Sequence, residues 1–248
     1  MAVVQRFGGK SVVITGAGAG IGLGYAHAFA AQGASVTIAD VDATAAKAAA
    51  DAVEGSLAVT VDVADEASVA AMVGATSQQF GGVDILVNNA GLHMGTYNQC
   101  ADLPLDDWRR LFDVNVFGAV LCARHCRPSM VARGGGVVLN QSSNSSYLGV
   151  GAYSISKMAL NALTLSLAQE LAGDRIRVLG IAPGMVASDA VLARLDQSTK
   201  EMVLAGQLVK RFGSIDDLVG MALLLCSDEA MFMTGQTVVV DGGYVRQL

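Results

Sequence analysis

The chain has 248 residues, 52% of them apolar and only 15% charged, with a net charge of −6. Ordinary domains carry about 25% charged residues, so this composition excludes a disordered chain and predicts extensive burial, subunit contacts included. The acidic balance excludes a general attraction to nucleic acid or to an anionic membrane.

Short β-branched runs alternate with alanine-rich stretches of helical pattern. The first strand is expected near Ser11–Thr15, followed by a glycine turn and a helix near Gly20–Ala31. Strands near Ser35–Ala39 and Leu57–Val61 flank a helix near Thr44–Val53, and a helix near Glu66–Phe80 leads to a strand near Val83–Val87. A long helix near Asp107–Val131, a strand near Val137–Asn140, a helix near Ala152–Ala172 and a strand near Ile176–Ile181 come next. A helix near Ile215–Cys226 and a strand near Thr237–Val240 close the series. Near-continuous apolar strands alternating with helices predict an α/β fold: a doubly wound, Rossmann-type parallel sheet of about seven strands with helices on both faces. Right-handed crossovers then put ligands at the carboxyl ends of the strands. No linker, repeat or low-complexity tract divides residues 1–248, so one domain is expected. Within it, residues 184–213 are apolar with a helical pattern of their own, and are expected to lie over the strand ends as a substrate lid.

Two segments invite other readings. Ser11 to Ala39 contains no Asp, Glu, Lys or Arg, as a signal or membrane segment would. Five glycines between Gly16 and Gly24 argue against a lipid-facing helix there, and a cytoplasmic protein is expected. The four cysteines form no Cys-x-x-Cys pair. Cys122, His125 and Cys126 share a helical face, but core packing accounts for them better than metal ligation does, so no metal is expected and the thiols should be reduced.

Chemistry is concentrated in three places. Thr15-Gly16-Ala17-Gly18-Ala19-Gly20-Ile21-Gly22 follows the first strand and opens a helix, where bare backbone and a helix N-terminus can approach a pyrophosphate. Asp40 ends the second strand, 18 residues after Gly22, where a carboxylate accepts from ribose hydroxyls and repels a 2′-phosphate. Ala17, Ala19 and Val41 offer no cation for such a phosphate, so NAD(H) is expected over NADP(H). Tyr153 and Lys157 stand four apart, on one face of the expected helix. A phenol near pKa 10 is a poor base, and an adjacent ammonium favours its phenolate.

With Asp62-Val63, Asn88-Asn89-Ala90-Gly91, Asn115, Pro183-Gly184 and Asp241-Gly242-Gly243 in the same order, the chain resembles the short-chain dehydrogenase/reductase family from Lys10 to Tyr244. The resemblance implies a cofactor site built by Gly16, Gly18, Ala19, Gly20, Ile21, Gly22, Asp40, Asp62, Val63, Asn89, Ala90, Gly91, Tyr153, Lys157, Pro183, Gly184, Val186 and Ser188. It implies hydride transfer between NAD(H) and a secondary alcohol or ketone, with Tyr153 as general acid or base. Lys157 would lower the tyrosine pKa and bind the nicotinamide ribose, and Asn115 would hold a water leading to solvent. The family's catalytic serine usually stands about thirteen residues before the tyrosine. Position 140 is asparagine, and strand register assigns the role to Ser143, ten residues upstream of Tyr153, with Ser142 the alternative and Ser145 and Ser146 behind it. The loop Asn144–Gly151 is then three residues short. Loop residues His93, Met94, Tyr97, Tyr147, Leu148, Met185, Val191, Leu192 and Leu195 are expected to face a moderately hydrophobic substrate. A homotetramer, or at minimum a homodimer, is implied through the helices near Asp107–Val131 and Ala152–Ala172 and the tail from Gly235 to Leu248. Two other functions remain open on this fold: a nucleotide-sensing or scaffold protein without turnover, and a lyase or epimerase.

Overall fold

A computed structural model describes residues 5–95, 97–186 and 196–246. Seven parallel strands form one sheet in the order β3-β2-β1-β4-β5-β6-β7: β1 Ser11–Thr15, β2 Ser35–Asp40, β3 Leu57–Thr60, β4 Ile85–Asn88, β5 Gly136–Gln141, β6 Ile176–Pro183 and β7 Thr237–Val240. Among the described residues the α-helices are α1 Gly20–Ala31, α2 Ala43–Ala52, α3 Glu66–Phe80, α4 Leu105–Phe112, α5 Gly118–Ala132, α6 Gly151–Leu171, α7 Gln197–Gly206 and α8 Asp216–Cys226. Among the described residues none is long and apolar enough to cross a membrane.

Period-two alternation sorts the strand residues onto two cores. Val12, Ile14, Val137 and Leu139 join Tyr25 and Phe29 of α1, Ala49 of α2 and Leu218 of α8 on one face. Val13 and Val138 join Met72 of α3, Cys126 of α5 and Leu171 of α6 on the other. A sheet buried on both faces explains why its strands read as unbroken apolar runs. The three buried cysteines, Cys122, Cys126 and Cys226, are free thiols packed in these layers, and no cluster of metal-binding side chains occurs among the described residues.

The expected long helix differs in one respect. Between α4 and α5, Asp113–Phe117 winds as a π-turn, closed by Gly118 N–H donating to Asp113 O. Such one-turn insertions concentrate at functional sites, and this one carries Asn115.

Chain order reverses between β1 and β4, where a doubly wound sheet opens its ligand crevice. A side-chain clip joins the two strand ends there. Thr15 Oγ1 accepts from the Asn89 and Ala90 N–H groups, both at 3.1 Å, and Asn89 Nδ2 donates to Thr15 O at 3.0 Å and Gly16 O at 2.9 Å.

Candidate active site

A cavity of about 870 Å³ runs along the carboxyl ends of the strands, from Asp40 to Tyr153. That is the size of a ligand site rather than a packing defect. Gly16, Ala19, Gly20 and Ile21 line it from the glycine turn, with Asp62 and Val63 after β3. Asn89, Ala90 and Gly91 line it after β4, and Pro183, Gly184 and Val186 after β6.

Gly18 and Gly22 do not line the cavity; they build its wall. Gly22 lies where α1 crosses the turn, and a Cβ there would stand 2.4 Å from Gly16 O and 2.6 Å from Asn89 Nδ2. Gly18 donates its N–H to Asp40 Oδ2 at 2.8 Å. Asp40 Oδ1 accepts from Asp42 N–H at 3.0 Å, so this carboxylate is a turn-builder and a cavity group at once. Ser188, together with Val191, Leu192 and Leu195, lies outside the described residues, as does the 187–195 part of the expected lid.

At the other end stands the polar centre. The first turn of α6 has no side-chain cap. Its free N–H groups are satisfied instead by the loop after β4: Ala152 N–H donates to Gln99 O at 3.2 Å and Tyr153 N–H to Tyr97 O at 3.0 Å. That pair of bonds sets the height of Tyr153 against the cavity. Tyr97, expected to face substrate, is instead 6% exposed in a small core with Leu111 and Ala152, against which Tyr153 packs. Met185 also departs from expectation: it lines a separate cavity of about 180 Å³ beyond the Pro183–Gly184 turn. His93 is exposed and does border the main cavity.

Lys157 is 4% exposed and its Nζ donates to Gln141 O at 2.8 Å. The Nζ lies 5.7 Å from the centre of the Tyr153 ring. Burial lowers the Lys157 pKa to about 8. Burial also pushes the Tyr153 phenol up, and the opposing influence is a hydrogen bond with the Ser143 side chain. Burial outweighs the Ser143 bond, and the phenol is raised rather than lowered.

Four serines compete for the hydroxyl role, and their partners separate them. Ser142 is 4% exposed and donates to Asn161 Oδ1 at 2.6 Å, so its proton is committed away from Tyr153. Ser146 donates to Ser143 O at 2.7 Å. Ser145 donates to Ser143 Oγ at 2.9 Å, and the Ser145 N–H points at the same oxygen from 3.2 Å. Ser143 Oγ thus accepts twice and keeps its own proton to give, while lining the cavity beside Tyr153. The short connection to α6 is a single 3₁₀ turn, Asn144–Tyr147, followed by Gly149 and Gly151, both with positive φ. Asn140, where a longer loop would have put serine, is wholly buried and bridges Asn88 and Thr164.

The Asn115 side chain is held by two neighbouring segments. Its Oδ1 accepts from Leu92 N–H at 2.7 Å, and its Nδ2 donates to Leu92 O and Ser156 Oγ. It stays close to the centre: a Cβ on Gly91 would lie 3.3 Å from Asn115 Oδ1 and 3.4 Å from Lys157 Nζ. Residues that sequence reasoning passed over also reach the cavity. Arg109 and Arg110 enter from α4, Ile215 from the start of α8, and Gln141 from the end of β5. Only Gln141 had a sequence signal, a polar residue closing an apolar strand.

A doubly wound sheet with a glycine turn, a strand-end carboxylate and a Ser–Tyr–Lys centre along one crevice defines a Rossmann-type protein. A family model described as enoyl-(acyl carrier protein) reductase matches residues 16–245. A probable short-chain type dehydrogenase/reductase of Bradyrhizobium diazoefficiens is 39% identical over 191 residues, spanning 75% of this chain and 68% of that protein. An uncharacterized oxidoreductase of Mycobacterium tuberculosis is 40% identical over 188 residues, spanning 75% and 76%. Among solved structures, a 7α-hydroxysteroid dehydrogenase complexed with NADH and 7-oxo glycochenodeoxycholic acid superposes with a TM-score of 0.91, at 35% identity, covering 99% of this chain and 98% of that one. The chain belongs to the short-chain dehydrogenase/reductase family.

Proposed function

We propose that the protein is an NAD(H)-dependent oxidoreductase acting on a CH–OH group, with a moderately hydrophobic secondary alcohol or the corresponding ketone as substrate. The observation that carries this is one continuous cavity with Asp40 at one end and Ser143, Tyr153 and Lys157 at the other. The bare glycine turn fits a pyrophosphate, since Gly20 at φ +59° has open space where a side chain would be. Pro183 and Gly184 would hold a nicotinamide, which would supply or accept the hydride.

The chain's own residues manage the proton and the charge. Ser143 donates its free hydroxyl proton to the substrate oxygen, where charge develops; such donors are worth about 10²–10³ in rate. Tyr153 gives its proton to that oxygen in reduction and takes it back in oxidation. The Lys157 ammonium favours the phenolate form and offers a donor to a ribose hydroxyl. Asn115 braces the strand-end segment at Leu92, next to Lys157. Asp40 accepts from the ribose hydroxyls and disfavours a 2′-phosphate. Residues 184–213 act as a lid within a single domain. A cytoplasmic location agrees with the free thiols. A homotetramer agrees with the exposed apolar side chains Phe117, Val131, Ile155, Met158 and Leu165 around α5 and α6, and with Met231 and Phe232 ahead of β7.

A panel of secondary alcohols and ketones, assayed with NAD(H) and NADP(H) in parallel, tests the reading. Turnover with NAD(H) is expected, reduced about 10²–10³-fold in Ser143→Ala and less than tenfold in Ser142→Ala. An NADP(H) preference removes the Asp40 argument, and full activity in Ser143→Ala removes the serine assignment.

A further inference from the structure

Gln141 closes β5 immediately before Ser142 and Ser143, and is 7% exposed. Three of its polar groups face in different directions. The main-chain carbonyl accepts from Lys157 Nζ, and the side-chain Oε1 accepts from the Tyr25 hydroxyl at 2.9 Å. Tyr25 sits in α1, 1% exposed, and burial pushes its phenol far above the usual range. It therefore keeps its proton, and Gln141 is the acceptor of that proton.

A primary amide has one carbonyl oxygen and one NH₂ group. Giving Oε1 to Tyr25 turns Nε2 the opposite way. The Nε2 has no partner among the described residues, yet it is not sealed in the core. The open space that Gln141 borders is the main cavity. The β5–β6 register sets Gln141 opposite Ile181, two residues before Pro183. Gln141 thus stands three strands from Asp40, at the Pro183–Gly184 end. Ile21, Pro183 and Ile215 are the nonpolar lining residues that come from α1, β6 and α8. A pinned N–H donor in such a wall loses free energy unless an acceptor meets it.

We propose that Gln141 Nε2 donates a hydrogen bond to an oxygen of the nicotinamide half of the dinucleotide, with Tyr25 holding the amide in the orientation that allows it. The proposal rests on the dinucleotide reading above. It makes Gln141 a cofactor-binding residue through its side chain, and a support for Lys157 through its backbone.

Calorimetric binding of NADH and of ADP to the full chain tests it, because ADP carries the adenosine half without the nicotinamide nucleoside. The variant is Tyr25→Phe with Gln141→Met, which removes both partners and leaves no buried orphan. The NADH Kd should rise about threefold to tenfold, the worth of one hydrogen bond, while the ADP Kd stays within about twofold of the parent. Tyr25→Phe alone should give a smaller rise for NADH and none for ADP. Gln141→Glu keeps an acceptor for Tyr25 but turns an oxygen on the ligand, and should weaken NADH more than the double variant does. Unchanged NADH affinity in the double variant or in Gln141→Glu overturns the proposal, as does an equal loss of NADH and ADP. A parent protein that binds neither compound overturns the dinucleotide reading, and this proposal with it.

Discussion

Removing the Lys157 charge should change how stability depends on pH. Burial lowers the Lys157 pKa from its ordinary 10.5 to about 8. At about 1.4 kcal/mol per pH unit, that is a desolvation cost of about 3 kcal/mol carried by the ligand-free protein at neutral pH. Below pH 8 both folded and unfolded chains hold the proton, and the cost is fully present. Between about 8 and 10.5 the folded chain has released the proton while the unfolded chain retains it, so Lys157 makes stability rise with pH. The buried thiols act in the opposite sense. Cys122 and Cys226 are raised to about 12, so their contribution is present below the ordinary thiol pKa and is lost as pH rises above it. Comparing the parent with Lys157→Met cancels the thiols, which both proteins share. Urea unfolding of the cofactor-free proteins, at one protein concentration and at steps from pH 7 to 10.5, supplies the two curves. The parent should gain about 3 kcal/mol on the variant across that range. Two parallel curves would falsify the claim that a charged lysine is buried beside Tyr153.

Two further outcomes test the framework around the centre. Gly22→Ala should cost about 1–3 kcal/mol by overpacking, because its Cβ would meet Gly16 O and Asn89 Nδ2. Gly74→Ala on the exposed face of α3, with nothing within 4 Å, should gain up to about 1 kcal/mol; equal melting temperatures for the two variants would contradict the close-approach argument. Sedimentation should show a homotetramer, because Phe232 is fully exposed and α6 presents Ile155, Met158 and Leu165 to solvent in the single chain. A monomer at micromolar concentration would refute it.

The sheet and its order of elements were legible from the chain alone, because unbroken β-branched runs between alanine-rich stretches are local signals and strong here. Every expected strand and helix has a counterpart, with boundaries moved by a residue or two. The π-turn at Asp113–Phe117 was not legible, since no residue in it departs from a helical pattern. Tyr97 departs from expectation for a related reason: a loop tyrosine looks substrate-facing until its backbone is found capping α6.

By itself the sequence determined that a glycine turn, a strand-end carboxylate and a Tyr–Lys pair would share one edge of a parallel sheet, because parallel topology sends every strand's carboxyl end the same way. Its strand register pointed to Ser143, with Ser142 the alternative. Only the tertiary structure supplied the partners that distinguish them, pairing Ser142 with Asn161 and turning two donors onto Ser143. The reason is physical: hydrogen bonds between side chains 19 residues apart, or Tyr25 and Gln141 at 116, depend on how α1, β5 and α6 pack, and no local pattern records it.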